Sequence, residues 1–413
     1  MNRRISLQVA LAAGVFAAAC TGARDTELDD RGITHLTDPT EPTEDGELAA
    51  EEIEPGAPKD SGGSSSSSGN AGGPSAAGCA FEDAIDHDGD GLSFLAGDCN
   101  DCDAAIRPGK IDIAGNGVDE DCSGKADEDA SCDAALALAS TDAREAARAL
   151  GVCHSATANS PGWGVITARY VKPDRTPLDA AYADGHGLLE AFGASAPRYG
   201  ETMLALSTGA ARAPGQPGYE PPSGHDKGYA HAAPPGWPKP SPACPGVTPS
   251  TVARDGVALE LTVKVPVDAH AMSFDHALFT YEYAQYVCSQ FTDSFVVLMD
   301  PPPAGAVSGN IVFDALGGAV GVNSALLAVC AAGTHKGITF GCGQGTAGLQ
   351  GTGFEGHGAT GWLRTTAPVQ PGSTITLLFA VWDAGDGTYD TTVLLDSLRF
   401  WTQPVAKVQT VAK

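Results

Sequence analysis

The sequence predicts a mainly β protein: a disulfide-stapled antiparallel β-sandwich, jelly-roll-like, preceded by a small loop-rich cation-binding module and a disordered linker. Three observations point there. From about residue 160 onward, short runs alternate apolar with polar residues and are separated by Gly, Pro and Asn, the pattern of half-buried strands. Acids and glycines are crowded into residues 79–131 with cysteines at both ends. Eleven cysteines in a chain with an export-type start imply disulfides.

Residues 1–20, MNRRISLQVALAAGVFAAAC, open with two arginines, continue in an apolar run from Ile5 to Ala19 broken mainly by Ser6 and Gln8, and reach small residues before Cys20. That is a secretion signal, too short for a spanning helix. It also resembles a bacterial lipoprotein signal, in which the cysteine after the small residues is lipidated, although Ala17 stands where leucine is usual. Cleavage after Ala17-Ala18-Ala19 is the alternative. Cysteine arithmetic favours lipidation of Cys20, because ten cysteines then remain to pair. Thr21, rather than Asp, follows the cysteine, and the resemblance then implies an outer-membrane or cell-surface location, with membrane contact by the lipid anchor only.

Residues 21–78 contain TDPTEPTEDGELAAEEIEPGAPKDSGGSSSSSGNAGGPSAAG, with almost no aromatic or β-branched core formers. Such a segment buries too little apolar area to offset its ordering entropy, so it reads as a disordered acidic spacer. As a random coil it would reach on the order of 40 Å. The formal charge is −27, and residues 1–131 hold 28 Asp+Glu against 8 Lys+Arg, so the acidity is concentrated in the N-terminal third. This balance argues against nucleic acid and anionic membrane surfaces as partners.

Residues 79–131 form the Asp- and Cys-rich module. Two carboxylates about 5 Å apart repel by roughly 0.8 kcal/mol even in bulk water, so a bound cation is the natural counterweight. Asp86, Asp88 and Asp90 occupy positions one, three and five of a D-x-D-x-D-G pattern closed by Gly91. Alternate residues of such a turn point oxygens inward, and the glycine permits the bend. Position twelve is Gly97 rather than an acid, so this is not an EF-hand loop. Further candidate ligands follow in GDCNDCD (Asp98, Asn100, Asp101, Asp103) and in GNGVDEDCSG (Asn116, Asp119, Asp121). An all-oxygen set suits calcium, which tolerates irregular coordination.

The run from 86 to 124 resembles the metal-binding motif of bacterial surface proteins, an Asp-Gly-Asp-Gly run followed by Gly-Asp-Cys, a Pro-Gly turn and a closing Gly-x-Asp-x-Asp-Cys. It is also similar in composition to the calcium-binding thrombospondin type 3 repeat. Cys102 departs from that pattern; with Cys79 it makes a second bridge beside one between Cys99 and Cys122, or the Cys-x-x-Cys binds zinc or does redox work.

Residues 132–403 are expected to form the sandwich. An Ala-rich helix, DAREAARAL, opens it, with Thr141 as its cap, Gly151 at its end, and Cys132 and Cys153 placed to staple it. Strands are expected at 256–266, 271–287, 293–300, 309–314, 374–383 and 392–401, and a long surface excursion at 208–247. Cys330 and Cys342 flank a loop and are read as closing it, which leaves Cys244 with Cys288. Runs at 191–212, 279–299 and 349–400 resemble, in order, the choice-of-anchor L domain, a secreted bacterial module. The resemblance spans roughly 135–401 and implies a surface or secreted protein without implying an enzyme.

Acids that interrupt core-like strands, Glu282, Asp293, Asp386, Asp390 and Asp396, are candidates for a second calcium site. The competing reading makes Asp386 and Asp390 turn residues and sets Glu282 in solvent. His335 and His357 lie in Gly-rich loops and read as loop histidines. No G-x-S-x-G, H-E-x-x-H or phosphate loop occurs in the sequence. The expected function is a cell-surface lipoprotein with a noncatalytic sandwich for extracellular binding, adhesion or structural display. Its partner would be an extracellular glycan or protein, with Trp163, Tyr219 and Trp237 offered as exposed stacking surfaces. A secreted hydrolase assembled from acids and loop histidines, and a calcium-dependent self-associating matrix protein, are the alternatives.

Overall fold

The inner faces of two antiparallel sheets meet in one apolar layer, and alternation along the strands decides which residues enter it. A computed structural model of the protein describes residues 82–127 and 131–413. The strands are β1 Gly164–Val171, β2 His186–Leu189, β3 Met203–Ser207, β4 Ala230–His231, β5 Ala253–Lys264, β6 Ala271–Thr280, β7 Ser294–Asp300, β8 Gly333–His335, β9 Ile338–Phe340, β10 Gly358–Ala359, β11 Leu363–Pro368, β12 Thr374–Ala384, β13 Thr391–Trp401 and β14 Gln409–Ala412. One sheet runs β1-β5-β12-β7 with β4 added to β5; the other runs β14-β11-β6-β13-β3-β2 with β10 added to β6. Strands β8 and β9 form a separate hairpin.

Leu259, Leu261 and Val263 of β5 and Leu377, Phe379 and Val381 of β12 face Met272, Phe274 and Leu278 of β6 and Val393 and Leu395 of β13 across the main core. Intervening residues are also buried, because loops cover both outer faces. Phe192, Leu349 and Phe354 pack on Phe279 and Leu394 outside the larger sheet. Trp237 packs with Ala258, Leu378 and Trp382 outside the smaller one. Covered on both faces, β6 is buried along its whole length.

The sandwich is thus as predicted, with several local corrections. Segment 208–247 is no free excursion: it contributes β4, buries Tyr229 and Trp237, and is tied down by Cys244–Cys288. Residues 309–314 form no strand. There the chain pairs with β7 only at an isolated bridge between Asn310 and Leu298, with Met299 N–H donating to Gly309 O (3.0 Å) and Ile311 N–H to Val297 O (2.9 Å), and Asn310 Oδ1 accepts from Val297 N–H and Val312 N–H at 3.0 Å each. The strand expected to reach residue 287 stops at Thr280, whose Oγ1 accepts from Glu282 N–H and starts a turn. Strand pairing continues past residue 403, where β14 adds to β11.

Helix α1, Ala143–Ala149, is capped by Asp142, which accepts from Arg144 N–H, and not by Thr141. The disulfides Cys99–Cys122, Cys132–Cys153, Cys244–Cys288 and Cys330–Cys342 are present, with Cα separations of 5.6, 5.7, 5.3 and 5.2 Å. Cys20, Cys79 and the Cys79–Cys102 pairing, with the signal and the spacer, lie outside the described residues. No helix among the described residues is long and apolar enough to cross a membrane.

The Asp-rich module is docked on the sandwich. Val267 N–H donates to Gly109 O at 2.7 Å, and Ile111 packs on the main core. At Gly109 (φ +95°) a Cβ would stand 2.6 Å from Pro161 O, so close approach requires glycine there.

Candidate metal centre

Short polar turns build this site. In residues 88–98 each aspartate accepts the main-chain N–H two residues on through one oxygen, the Asx habit of this side chain, while Asp86 accepts Gly89 and Gly91 N–H through both and Asp101 accepts across the loop. Asp88 Oδ1 takes Asp90 N–H (3.0 Å), Asp90 Oδ1 takes Leu92 N–H (2.8 Å), Asp98 Oδ1 takes Asn100 N–H (2.8 Å) and Asp101 Oδ1 takes His87 N–H (2.9 Å). The second oxygens behave alike. Oδ2 of Asp88, Asp90, Asp98 and Asp101 is in each case buried without a hydrogen-bond partner. Asp98 is 1% and Asp101 4% exposed, so water does not satisfy these atoms from outside.

Asp88, Asp98 and Asp101 bring one oxygen each within 4.8 Å of one another, as do Asp86, Asp88 and Asp90. That spacing fits oxygens sharing one cation at 2.3–2.6 Å. Burial pushes the Asp98 carboxyl up to about 6, and the charges of Asp90, Asp88 and Asp101 push the same way against the Asn100 N–H. Arg107 stands at the edge, Nε 3.8 Å from Asp90 Oδ2.

A second group, Asp112, Asp119 and Asp121, meets the same 4.8 Å criterion. Asp121 Oδ2 also lies 3.5 Å from Nδ1 of His154, on the sandwich side. The Cys99–Cys122 bridge joins the two groups, since Asp98 and Asp121 are the chain neighbours of its ends. A third group combines Asp83, His87 and Asp101, with His87 Nε2 3.2 Å from Asp83 Oδ1.

Of the predicted ligands, Asp86, Asp88, Asp90, Asp98 and Asp101 are brought together in one place and Asp119 and Asp121 in another. Asp103 and Asn116 are exposed turn formers, accepting from Ala105 N–H (3.1 Å) and Val118 N–H (2.7 Å). Asn100 contributes its carbonyl to the turn, accepting from Cys102 N–H and Asp103 N–H. Sequence reasoning missed Asp83, His87 and Asp112. His87 sits inside the D-x-D-x-D run and Asp83 four residues before it, a spacing that marks the pair. Cys99 and Cys102 are both disulfide-bonded, so the Cys-x-x-Cys offers zinc no thiolate.

The five acids proposed as a second site do not assemble as expected. Asp396 stands apart, accepting from Arg198 N–H (2.6 Å) and Tyr199 N–H (3.3 Å) opposite Asp275. Asp386 is a half-buried turn residue accepting from Thr388 N–H at 3.3 Å. Glu282 is buried rather than solvent-facing and accepts from Asp293 N–H at 3.0 Å. Asp293 and Asp390 are buried near two acids not anticipated, Asp255 and Asp383. A bulge opposite residues 381–383 of β12 carries Asp255 into the left-handed region (φ 50°), and such bulges re-aim side chains.

Trp237 is 8% exposed, and Trp163 is half-buried against Phe400, so neither is an open stacking platform; Tyr219 is half-buried too. His357 donates through Nδ1 to Tyr283 O (2.9 Å) and stacks on Tyr281, while His335 packs edge-on to Tyr283. Among the described residues the histidine–carboxylate pairs are His87–Asp83, His154–Asp121 and His225–Asp184, and neither His335 nor His357 takes part.

Residues 98–128 match the family model Cu-binding MopE, described as "Putative metal-binding motif". No curated protein matches the chain. The matched stretch contains the whole Asp112–Asp119–Asp121 group and the buried Asp98 and Asp101. The chain therefore carries a metal-binding motif ahead of a β-sandwich, and the disulfides of both parts mark an exported protein.

Proposed function

We propose that the motif holds calcium and that the bound ions stiffen the stretch carrying the sandwich. The observation that carries this reading is the set of four buried Oδ2 atoms without hydrogen-bond partners in residues 88–101, of which only that of Asp90 has a cation, Arg107, at its edge. Hard carboxylate oxygens at irregular spacing suit calcium better than copper or zinc, which favour imidazole and thiolate. Millimolar extracellular calcium fills even weak sites of this kind.

The protein is, on this reading, a lipoprotein anchored through Cys20 at the outer membrane or cell surface. The sandwich it displays is a noncatalytic module for an extracellular protein or glycan, or for structural display. The disulfides, which mark an exported chain, support a role outside the cell. Calcium titration of the exported chain by calorimetry, with limited proteolysis in calcium and in EDTA, tests it. Expected are saturable binding and faster cleavage within 82–127 on chelation; equal protease resistance in both conditions overturns the reading. Calcium-dependent self-association would appear in the same samples as a change in sedimentation.

A further inference from the structure

Strand β1, at one side of the smaller sheet, is paired with β5 alone. Val265 N–H donates to Ser373 O, so alternation turns Val263 and Leu261 of β5 toward β12 and Thr262 and Glu260 toward β1. Thr262 and Glu260 stand opposite Thr167 and Arg169. Ala168 and Tyr170 therefore aim their N–H and C=O groups away from the sheet. On either side of them the edge is closed. Val165 N–H donates to His154 O (2.8 Å), Val165 O accepts from Ala156 N–H (3.1 Å), Arg144 Nη2 donates to Ile166 O (2.9 Å), and Lys172 N–H donates to Thr176 O (2.9 Å). Residues 167–170 are left uncovered, about 13 Å of strand.

This stretch borders a groove of about 470 Å³, within the size range of ligand sites. Tyr170 and His186 of β2 line it, their rings stacked at a centroid distance of 3.5 Å. Asp142, at the start of α1, and Asp179, which caps the turn Ala180–Gly185, line it too. Each spends one oxygen on its cap, Oδ1 accepting from Arg144 N–H (2.8 Å) and Ala181 N–H (2.9 Å), and keeps the other. Arg169 is the one cation among the described residues of the lining, and Glu260 engages it, Oε1 accepting from Nε at 2.7 Å. Burial keeps His186 neutral, its pKa pushed down to about 3, so the acids of the groove face no counter-charge from it.

We propose that this groove takes an extended cationic peptide of an extracellular partner, which adds to β1 as a further strand through the main chain of Ala168 and Tyr170. Native sheets usually cover or blunt such an edge; here both ends are covered and the middle is left beside a groove. In strand addition, main-chain hydrogen bonds supply affinity and side-chain contacts supply specificity. The contacts here are basic side chains on Asp142 and Asp179. A glycan has no regular ladder to match N–H and C=O groups at strand spacing, so the edge favours a peptide. The inference rests on the reading of the sandwich as a binding module and names its partner class; it does not depend on calcium in the Asp-rich motif.

The test is a phage-displayed library of octapeptides, with Lys or Arg at the ends and β-branched residues between, panned against the full exported chain. Expected are clones whose synthetic peptides lose about tenfold in affinity in Ala168→Pro, which deletes one outward N–H at an edge position that tolerates proline. N-methylation of alternate peptide residues should abolish binding in one register and spare it in the other. That series is read on the wild-type chain, so it decides even where Ala168→Pro misfolds. Asp142→Asn/Asp179→Asn, which keeps both caps, should weaken binding several-fold and flatten its salt dependence. No clones, or peptides indifferent to Ala168→Pro and to both methylation registers, overturn the proposal. A neutral oligosaccharide that binds the chain, is lost in Tyr170→Ala and is unaffected by Ala168→Pro also overturns it, while leaving the sandwich a binding module.

Discussion

One carboxylate oxygen of Asp98 lies within 4.8 Å of one of Asp101, and each residue turns a buried Oδ2 toward no donor. At that separation and an effective dielectric near 20, two charges repel by roughly 3 kcal/mol. Neutralising either acid therefore relieves the metal-free protein while removing a ligand. Asp98→Asn is expected to raise metal-free stability to urea by about 1 kcal/mol and to weaken calcium binding on the order of tenfold. Paired denaturation curves in EDTA and in calcium check the opposite signs.

The Cys99–Cys122 bridge closes a loop with a sequence separation of 23. Its chain-entropy contribution is about 3 kcal/mol, acting mainly on the unfolded state. In Cys99→Ala/Cys122→Ala the motif should open locally while the sandwich persists. Hydrogen exchange should quicken over 86–124 and remain slow in β5, β6 and β12.

Asp275, 1% exposed on its side chain, is held by a bidentate Arg364, Nε to Oδ1 at 2.7 Å and Nη2 to Oδ2 at 3.0 Å. Removing the guanidinium leaves the buried charge with only the longer contact from Arg198 Nε (3.7 Å), so Arg364→Ala should cost about 3 kcal/mol. Arg364→Ala/Asp275→Asn should recover much of that loss in thermal or chemical unfolding.

Burial pushes Asp396 up to about 7, with the Asp275 charge adding to it against N–H donation from Arg198, Ser397 and Tyr199. A carboxyl whose pKa is raised by folding contributes its full stability below the unfolded value near 4, and that contribution is lost as pH rises through about 7. Asp396→Asn, measured against the wild type in EDTA from pH 4 to pH 8, should remove a slope of up to about 1.4 kcal/mol per pH unit. Parallel pH profiles for the two proteins would contradict the assignment.

Long alternating segments were legible from sequence: β5, β7, β12 and β13 lie where Leu, Val and Phe alternate, within a few residues of the expected bounds. Short strands such as β2, β3 and β10 escaped because they are runs of two to five residues whose pairing is set by partners far away in the chain. Residues 309–314 show the opposite failure, a β-like run that pairs with β7 only at an isolated bridge at Asn310, whose side chain also takes Val297 N–H. The motif acids were readable because their spacing is local. Asp383 and Asp255 were not, because a bulge and a strand pairing across more than a hundred residues bring them together.

Strand β14 runs along the rim of the larger sheet, its residues 409–412 pairing with Leu363 through Thr366 of β11. It works as a splint on that side. Clipping the final five residues would strip β11 of its neighbour and leave a row of open amides and carbonyls flanked by the buried Leu363 and Thr365, a template for another molecule's strand. A recombinant version shortened there should turn cloudy at concentrations where the intact chain stays clear, so affinity handles belong after Lys413 and never in place of β14.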